Sequence, residues 1–328
     1  MRILNLCFQD MAGSAYTLSH AINKLTSHHA INMISTNSFA EYPSFIQMQD
    51  YDPPTCRRIT EKADVIVFHS AVKPYYQGLA LSQNNLKHKQ KFLYFHGSEA
   101  RFYGKEIVAE ADEYMEDYTV LVSTPDLLLG CPKPAEWLPC TRSFSEIQNR
   151  IGISKRDKKA IENFAEPKVK TVFSHAPSSE AKKGSKTFYA AMTRILRELP
   201  HVAFTTIRNQ PWVNCLKILS ESDVYLDQDP PFAGAYGLVS VEASIFNVPS
   251  VCKMQQPIIE LIHKQTRLKS PFITFRNEDE LLAQLYLLAQ DRDLREKFGK
   301  LSHRFCKKIH DEKPVVTKFL KIIEEHET

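Results

Sequence analysis

Three residues in the second half of the chain are of types that could together bind a phosphate and a diol: Lys183, Gly237 and Glu242. Segment 224–252 contains a short apolar strand, a break at Gly237, an amphipathic helix and a second apolar strand. A strand–loop–helix unit places the N–H groups of a helix start beside a ligand phosphate. A helix that starts near Gly237 puts Glu242 about one and a half turns inside it, where a carboxylate could accept hydrogen bonds from a diol. The simpler interpretation is a tight turn followed by a solvated glutamate.

Lys183 directly precedes Gly184, and the pair follows a strand predicted at 170–174. The ammonium supplies positive charge and the helix that starts at Ser185 supplies N–H donors, so the pair predicts an anchor for a diphosphate. A surface lysine in a loop is the alternative.

A second polar cluster, HGSEAR at 96–101, follows the fourth predicted strand. It offers an imidazole, a flexible turn, a carboxylate and a guanidinium. We therefore take His96, Glu99 and Arg101 as candidate catalytic residues. The alternative is a capping box, in which Ser98 caps a helix and Arg101 is solvated.

Gly13 follows the first predicted strand, where a glycine lets the backbone approach a ligand. The residues around it form neither a G-x-G-x-x-G fingerprint nor a P-loop, which argues against a plain dehydrogenase.

Composition limits the class of protein. The 328 residues suffice for two domains, and 43% hydrophobic with 24% charged residues is typical of a soluble globular chain. A net charge of +4 is too mild to predict nucleic-acid binding, although it is compatible with peripheral contact at the inner face of an anionic membrane. We expect a cytoplasmic protein, since no long apolar run or signal peptide is evident. Seven scattered cysteines without a Cys-x-x-Cys pair indicate neither a disulfide framework nor a zinc site.

Strand and helix patterns alternate along the chain. Strands are predicted at 3–8, 30–35, 64–68, 91–95 and 119–123, and again at 170–174, 202–207, 224–227, 249–252 and 272–275. Segments 37–60 and 69–78 are expected to be irregular. The fold class is α/β, with two Rossmann-like doubly wound domains, 1–145 and 146–328, facing a cleft. Helices in 278–326 should pack back across the interface.

These segments resemble the GT-B glycosyltransferases, specifically the large retaining family (group 1, or family 4) that includes sucrose, mannosyl and lipopolysaccharide glycosyltransferases. The resemblance covers most of the chain. It is best in the second half, through VFSHAPSSEAKKGSKTF and YGLVSVEASIFNVPSVC. In the first half, HGSEAR and VSTPDLL resemble a branch that carries His-Gly-Ser-acid-x-Arg.

The resemblance implies retaining transfer of a sugar from a nucleoside diphosphate sugar to a hydroxyl acceptor, such as a glycan or a lipid-linked group. It implies no further cofactor and no metal. The residues that it assigns to the donor are Gly13, Lys183, Gly184, Tyr236, Gly237, Leu238 and Glu242, the last on the donor ribose. His96 could hold the sugar or its developing charge.

The sequence departs from the family at Gly234, where the first of two family glutamates would contact the transferred sugar. A branch of the family carries Gly-x-Tyr-Gly here, as this chain does at 234–237. The departure keeps a second hypothesis open, a catalytically inactive GT-B protein that binds a nucleotide sugar for a partner. Sugar-nucleotide epimerisation and DNA-base glucosylation are further alternatives, and the low net charge gives the last of these only weak support.

Overall fold

The structure is a computed structural model that describes residues 1–10, 12–151, 171–230 and 234–326. The side chains of Ser98 and Glu99 lie outside this description, so the predicted role of Glu99 falls outside the described residues. The chain divides into two compact units, Met1–Arg142 with His310–Thr328 and Ser143–Ile309.

The first unit is built on a parallel sheet of seven strands. The strands are β1 (Arg2–Cys7), β2 (His29–Ile34), β3 (Ile46–Gln47), β4 (Val65–His69), β5 (Gln90–Phe95), β6 (Thr119–Val122) and β7 (Ala135–Trp137). Their order is β3-β2-β1-β4-β5-β6-β7, so the order reverses between β1 and β4. Ligands of open α/β sheets bind beyond the carboxyl ends of the strands at such a switch point.

Helices connect these strands. They are α1 (Ser14–Leu25), α2 (Pro53–Lys62), α3 (Lys73–Gly78), α4 (Gln83–Leu86), α5 (Gly97–Tyr114) and α6 (Leu127–Gly130), with a 3-10 turn at Met48–Asp50. The prediction of irregular chain at 37–60 and 69–78 is wrong where α2 and α3 lie. Asp52 accepts a hydrogen bond from the Thr55 N–H at 2.6 Å and Pro53 stands at the first helical position, so Asp-Pro-Pro starts α2.

The second unit has a parallel sheet of five strands. They are β8 (Thr171–His175), β9 (Val202–Thr206), β10 (Val224–Leu226), β11 (Ser250–Cys252) and β12 (Ile273–Thr274). The order β12-β11-β10-β8-β9 is the doubly wound order 2-1-3-4-5 read from the other edge. Its switch point lies between β8 and β10, and the predicted Lys183 loop follows β8.

The helices of the second unit cover this sheet. They are α7 (Phe144–Ile151), α8 (Glu180–Lys183), α9 (Ser185–Glu198), α10 (Trp212–Glu221), α11 (Leu238–Ile245), α12 (Gln256–Thr266), α13 (Glu278–Gln290) and α14 (Arg292–His310). None of the helices in the described part of the chain combines the length and apolar character that a membrane crossing requires. The predicted α/β class with two doubly wound sheets is confirmed.

The last helix, α15 (Glu312–Glu325), belongs to the first unit. Its apolar residues Val315, Phe319 and Ile322 are buried in the same cluster as residues of β1, α1 and β5, and the Phe319 ring meets Phe92 edge-on at 5.8 Å. The sequence predicts one boundary after residue 145 and places the whole tail in the second domain. The compact units instead divide after Arg142, and residues from 310 onwards return to the first unit because α15 buries its apolar stripe there.

Candidate functional site

Lys183 is the last residue of α8, in the loop that follows β8. Its ammonium lies 3.3 Å from a carboxylate oxygen of Asp227 and donates to the side-chain oxygen of Gln228 at 2.7 Å. The Asp227 side chain is fully buried, whereas that of Lys183 keeps 17% of its surface exposed. The cation is therefore fixed at the carboxyl end of β10, with part of its surface open to a ligand.

Asp227 also organises the start of α11. Its second carboxylate oxygen accepts from the Gly237 N–H at 2.5 Å and from the Ser240 hydroxyl at 2.8 Å. A Cβ at Gly237 would lie 2.6 Å from the Asp227 carboxylate and 2.8 Å from Lys183 Nζ, so a larger residue here would displace these two side chains. A helix start and an ammonium thus converge on one spot, an arrangement that suits an anion.

Gly184 fixes the Lys183 loop through its backbone. It adopts a left-handed conformation at φ 63°, and a Cβ here would lie 1.8 Å from the carbonyl oxygen of Asp229. The Asp229 N–H donates to the Lys183 carbonyl at 2.9 Å. Gly184 therefore allows a close approach of two backbone segments, and this approach positions the neighbouring Lys183.

His175 ties the same loop to β10 as a neutral group. Its two ring nitrogens lie 2.7 Å from the Leu226 carbonyl and 2.7 Å from the Ser185 hydroxyl. Because a carbonyl only accepts, Nδ1 carries the proton and Nε2 accepts from Ser185. Burial lowers the pKa of His175 to about 4, so the ring is uncharged at neutral pH.

Glu242 lies within α11 and is only 2% exposed, which differs from the solvated glutamate of the simpler interpretation. Its carboxylate accepts from the Trp212 indole N–H at 2.8 Å. Burial, followed by the charge of Glu242, raises the pKa of Cys215 to about 12. Trp212 was not among the predicted site residues, and its only signal in the sequence is a Pro-Trp step at a helix start.

Tyr236 and Leu238 flank Gly237 differently. The Tyr236 ring is 3% exposed, stacks on Phe272 at 4.3 Å and meets Phe305 edge-on at 6.0 Å. Its side chain is therefore part of the core. Leu238 is half-buried and begins α11, where only its backbone reaches the helix start.

His96 directly follows β5 in the first unit, and its ring lies against two other aromatic rings. Its Nε2 is 2.9 Å from Nδ1 of His69, with the two imidazoles stacked at 5.0 Å, and the Tyr94 ring lies 4.3 Å away. Burial lowers the pKa of His96 to about 4 and that of His69 well below its ordinary value. The pair is therefore neutral at neutral pH.

Arg101 is held by an ion pair. Its guanidinium lies 2.6 Å from the Asp126 carboxylate and 3.3 Å from the Thr124 hydroxyl, and its side chain is only 13% exposed. The contact joins α5 to the loop that follows β6. The capping alternative predicted a solvated arginine, and this prediction is wrong. It also placed Ser98 at the helix cap, whereas α5 begins at Gly97 and His96 is at the cap position.

Gly13 precedes α1 at φ 63°, and a Cβ here would lie 2.2 Å from the Tyr42 ring. The side chain of Tyr42 thus explains the need for glycine. Asp10 accepts a hydrogen bond from the Tyr16 N–H at 2.9 Å. Burial raises the pKa of Asp10, and the charge of Arg142 offsets part of that rise.

Arg142 was missed by the sequence analysis. It is fully buried and donates to the Ala12 carbonyl at 2.5 Å and the Thr141 carbonyl at 2.9 Å. Its position at the end of a polar stretch gave no signal, because only the folded chain brings Ala12 and Arg142 together.

The structure thus groups Lys183 and Gly237 around Asp227, with Gly184 beside Lys183 against Asp229, and with Leu238 and Glu242 on the helix that Gly237 starts. In the first unit it groups His96 with His69, and Arg101 with Asp126.

The sequence matches no protein-family model, and comparison with curated proteins finds no match either. Solved structures do match. Anabaena Alr3699/HepE in complex with UDP-glucose is 13% identical, with a TM-score of 0.66 over 99% of this chain and 100% of that one. Sucrose-phosphate synthase from Thermosynechococcus elongatus is 12% identical, with a TM-score of 0.63 over 99% of each chain. A putative UDP-N-acetylglucosamine 2-epimerase from Listeria monocytogenes is 12% identical, with a TM-score of 0.56 over 99% of this chain and 96% of that one.

At these identities the likeness bears on the fold. Its extent over whole chains, together with the two parallel sheets of seven and five strands, shows that this chain has the two Rossmann-like domains of the GT-B fold.

Proposed function

We propose that the chain is a glycosyltransferase that moves a sugar from a nucleoside diphosphate sugar to a hydroxyl acceptor. The observation that carries the proposal is the convergence of the Lys183 ammonium and the start of α11 at Gly237. A fixed cation, backbone N–H donors and the lack of a Cβ together suit a diphosphate.

The leaving diphosphate gains negative charge as its bond to the sugar breaks. Lys183 is already held in place by Asp227 and Gln228, so it would stabilise this charge without reorganising. A bound diphosphate would share the ammonium with those two side chains. Because Lys183 and the helix start supply the neutralising charge, the proposal assigns no metal and no cofactor beyond the donor itself.

Glu242 is proposed as the acceptor for the donor ribose. The Trp212 indole holds one of its carboxylate oxygens in place, which orients the group before a ligand arrives. The bound UDP-glucose in the similar Anabaena structure supports a UDP sugar as the first donor to test.

From the family resemblance, His96, a neutral group, is proposed as the residue that holds the sugar, and Arg101 is not. Arg101 is already paired with Asp126, so we propose that it supports the loop after β6 instead of acting in the chemistry. Gly234 stands where a family glutamate would contact the sugar, so the choice of sugar falls to other groups. Retention of the anomeric configuration is also proposed, from the family that the sequence resembles.

Ligand-induced stabilisation tests the donor class. The melting temperature of the full chain is measured with UDP, GDP, CDP and dTDP and with their glucose or mannose conjugates, since a ligand that binds the folded state raises it. We expect one nucleotide to stabilise strongly and its sugar conjugate to do so as well. A chain that none of them stabilises contradicts the proposal.

Turnover is tested with the conjugate that binds. Slow hydrolysis, or transfer to a hydroxyl acceptor, is followed by proton NMR, and the coupling of the anomeric proton reports whether the configuration is retained. Strong binding without any hydrolysis or transfer would favour the inactive nucleotide-sugar-binding protein instead.

A further inference from the structure

A row of four polar side chains runs through the interior of the first unit to His96. The Ser19 hydroxyl lies 2.9 Å from the Asn5 amide nitrogen, and the Asn5 amide oxygen lies 3.0 Å from Nε2 of His69. Nδ1 of His69 lies 2.9 Å from Nε2 of His96. Asn5 and Ser19 are fully buried and His69 is 4% exposed, so each group depends on the next for its hydrogen bond.

The direction of these hydrogen bonds is set at the Ser19 end. The Ser19 hydroxyl donates to the Ala15 carbonyl at 2.9 Å, within α1, and a carbonyl has no proton to give back. The Ser19 oxygen therefore accepts from the amide nitrogen of Asn5. This orients the Asn5 amide so that its oxygen faces His69 and requires a donor there.

The donor that Asn5 requires determines which ring nitrogen carries the proton in both His69 and His96. A neutral histidine has one N–H and one acceptor nitrogen. If Nε2 of His69 donates to Asn5, Nδ1 of His69 must accept, and the donor that reaches it is Nε2 of His96. Nδ1 of His96 is then the acceptor nitrogen, and the sulfur of the Cys140 thiol lies 4.0 Å from it.

We infer that Asn5 and His69 are positioning residues that fix His96 as its Nε2–H tautomer and leave Nδ1 as a hydrogen-bond acceptor. The consequence concerns what His96 can bind. An acceptor nitrogen pairs with a hydroxyl, which carries a proton, and not with a diphosphate ester oxygen, which is itself only an acceptor at neutral pH. The inference rests on the proposed function, in which His96 holds the sugar, and adds the direction of that contact: a sugar hydroxyl donates its proton to Nδ1 of His96.

The tautomer itself can be measured without any activity. Two-dimensional NMR of the full chain, with nitrogen-15 in its histidines, separates protonated from acceptor ring nitrogens. His96→Gln and His69→Gln variants identify the two signals by their loss. At pH 7 we expect both rings as neutral Nε2–H tautomers. A proton on Nδ1 of His96, or an even mixture of the two tautomers, would overturn the inference.

Two substitutions at Asn5 test whether this residue fixes the tautomers of His69 and His96. Asn5→Asp keeps an oxygen acceptor toward His69, so Nε2 of His69 should stay protonated. Its carboxylate also favours a charged His69, whose Nδ1–H then donates to Nε2 of His96 and moves the His96 proton to Nδ1. Asn5→Leu removes the acceptor, so His69 and His96 should become mixtures. Unchanged tautomers in Asn5→Leu would remove Asn5 from the mechanism. If Asn5→Leu does not fold, the wild-type spectrum and Asn5→Asp still decide the assignment.

The consequence for sugar binding needs a comparison of two ligands. In Asn5→Leu we expect the affinity for the nucleotide sugar to fall about tenfold, the cost of one misdirected hydrogen bond, with the affinity for the free nucleoside diphosphate unchanged. An equal loss for both ligands would indicate a merely structural role. If no nucleotide binds at all, the proposed function fails while the tautomer result stands.

Discussion

The two units handle the polar groups of their candidate sites in opposite ways. In the second unit, Lys183 and Asp227 are opposite charges, and the buried carboxylate is satisfied by the ammonium, by Gly237 and by Ser240. In the first unit, His69 and His96 are kept neutral by burial and satisfied only by other neutral groups. A charge that is fixed in advance suits an anionic ligand, whereas neutral donors and acceptors of set direction suit hydroxyl groups. The polar groups of the two units therefore suit different parts of a ligand.

Acid should have the largest effect on the difference between the two units, because it protonates the neutral histidines. Among the described residues, burial depresses the pKa of His69, His96 and His310 in the first unit but only that of His175 in the second. As the pH falls below the unfolded value of about 6.5, the unfolded chain binds protons that the folded histidines refuse until about pH 4. Stability is thus lost between these values, by about 2 kcal/mol at pH 5 for each of His96 and His310.

Hydrogen exchange measured by peptide between pH 7 and 4.5 checks this. Peptides of the first unit should lose protection at a higher pH than those of the second, after correction for intrinsic exchange rates. Asp10, whose pKa burial raises, offsets part of the loss. His310→Asn is the matched control, because the new amide can still donate to the Cys140 carbonyl, which lies 3.0 Å from the His310 ring. The variant has one buried histidine fewer and should therefore lose less stability in acid. Simultaneous loss in both units would contradict the contrast.

Gly184→Ala tests whether the charged arrangement depends on a backbone approach. The new Cβ would meet the Asp229 carbonyl in a left-handed conformation, so we expect the free energy of unfolding to fall by about 3 kcal/mol. Urea unfolding measures the change. Gly104→Ala is the control, because nothing lies within 4 Å of its added Cβ, and it should be neutral or slightly stabilising. Equal effects of the two variants would refute the close approach.

Lys183→Ala tests whether the fixed ammonium of the second unit binds the nucleoside diphosphate. Removing the ammonium should weaken binding of the stabilising nucleoside diphosphate about 30-fold, or ~2 kcal/mol, as for other hydrogen bonds to charged groups. Isothermal titration calorimetry gives the dissociation constant. Lys182→Ala changes the same charge at an exposed neighbouring position and should have little effect. Equal losses would mean that general charge, rather than the position of Lys183, attracts the ligand.

Much of the fold could be predicted from the sequence, because its signals are local. Apolar strands such as DVIVF and the Gly-Leu helix start at 237–238 coincide with β4 and α11. The sequence predicts that helices of the tail pack back, but not which of them returns; that α15 joins the first unit is decided by the tertiary packing of its apolar stripe.

The candidate site could be predicted only in part, again because sequence signals are local. Lys183 and Gly237 stand at chain positions with a local signature, a loop after a strand and a helix start. Asp227, Asn5 and Arg142 act through contacts with residues distant in the sequence, and burial is what gives them their roles. A polar residue inside a strand or loop carries no sequence signal of its future partner.

Trp212→Phe is the smallest expected effect and tests whether Glu242 belongs to the charged set. The substitution keeps an aromatic ring but removes the indole N–H that donates to the carboxylate at 2.8 Å. Losing a hydrogen bond to a buried charged group should weaken nucleotide binding by about 1.5 kcal/mol if Glu242 must be held in place to accept the ribose. Comparing the nucleoside diphosphate with its ribose 2′-deoxy analogue by calorimetry isolates that contact, since the analogue should discriminate less between the two proteins. If both ligands lose affinity equally, Glu242 supports α11 and the ribose is bound by other groups.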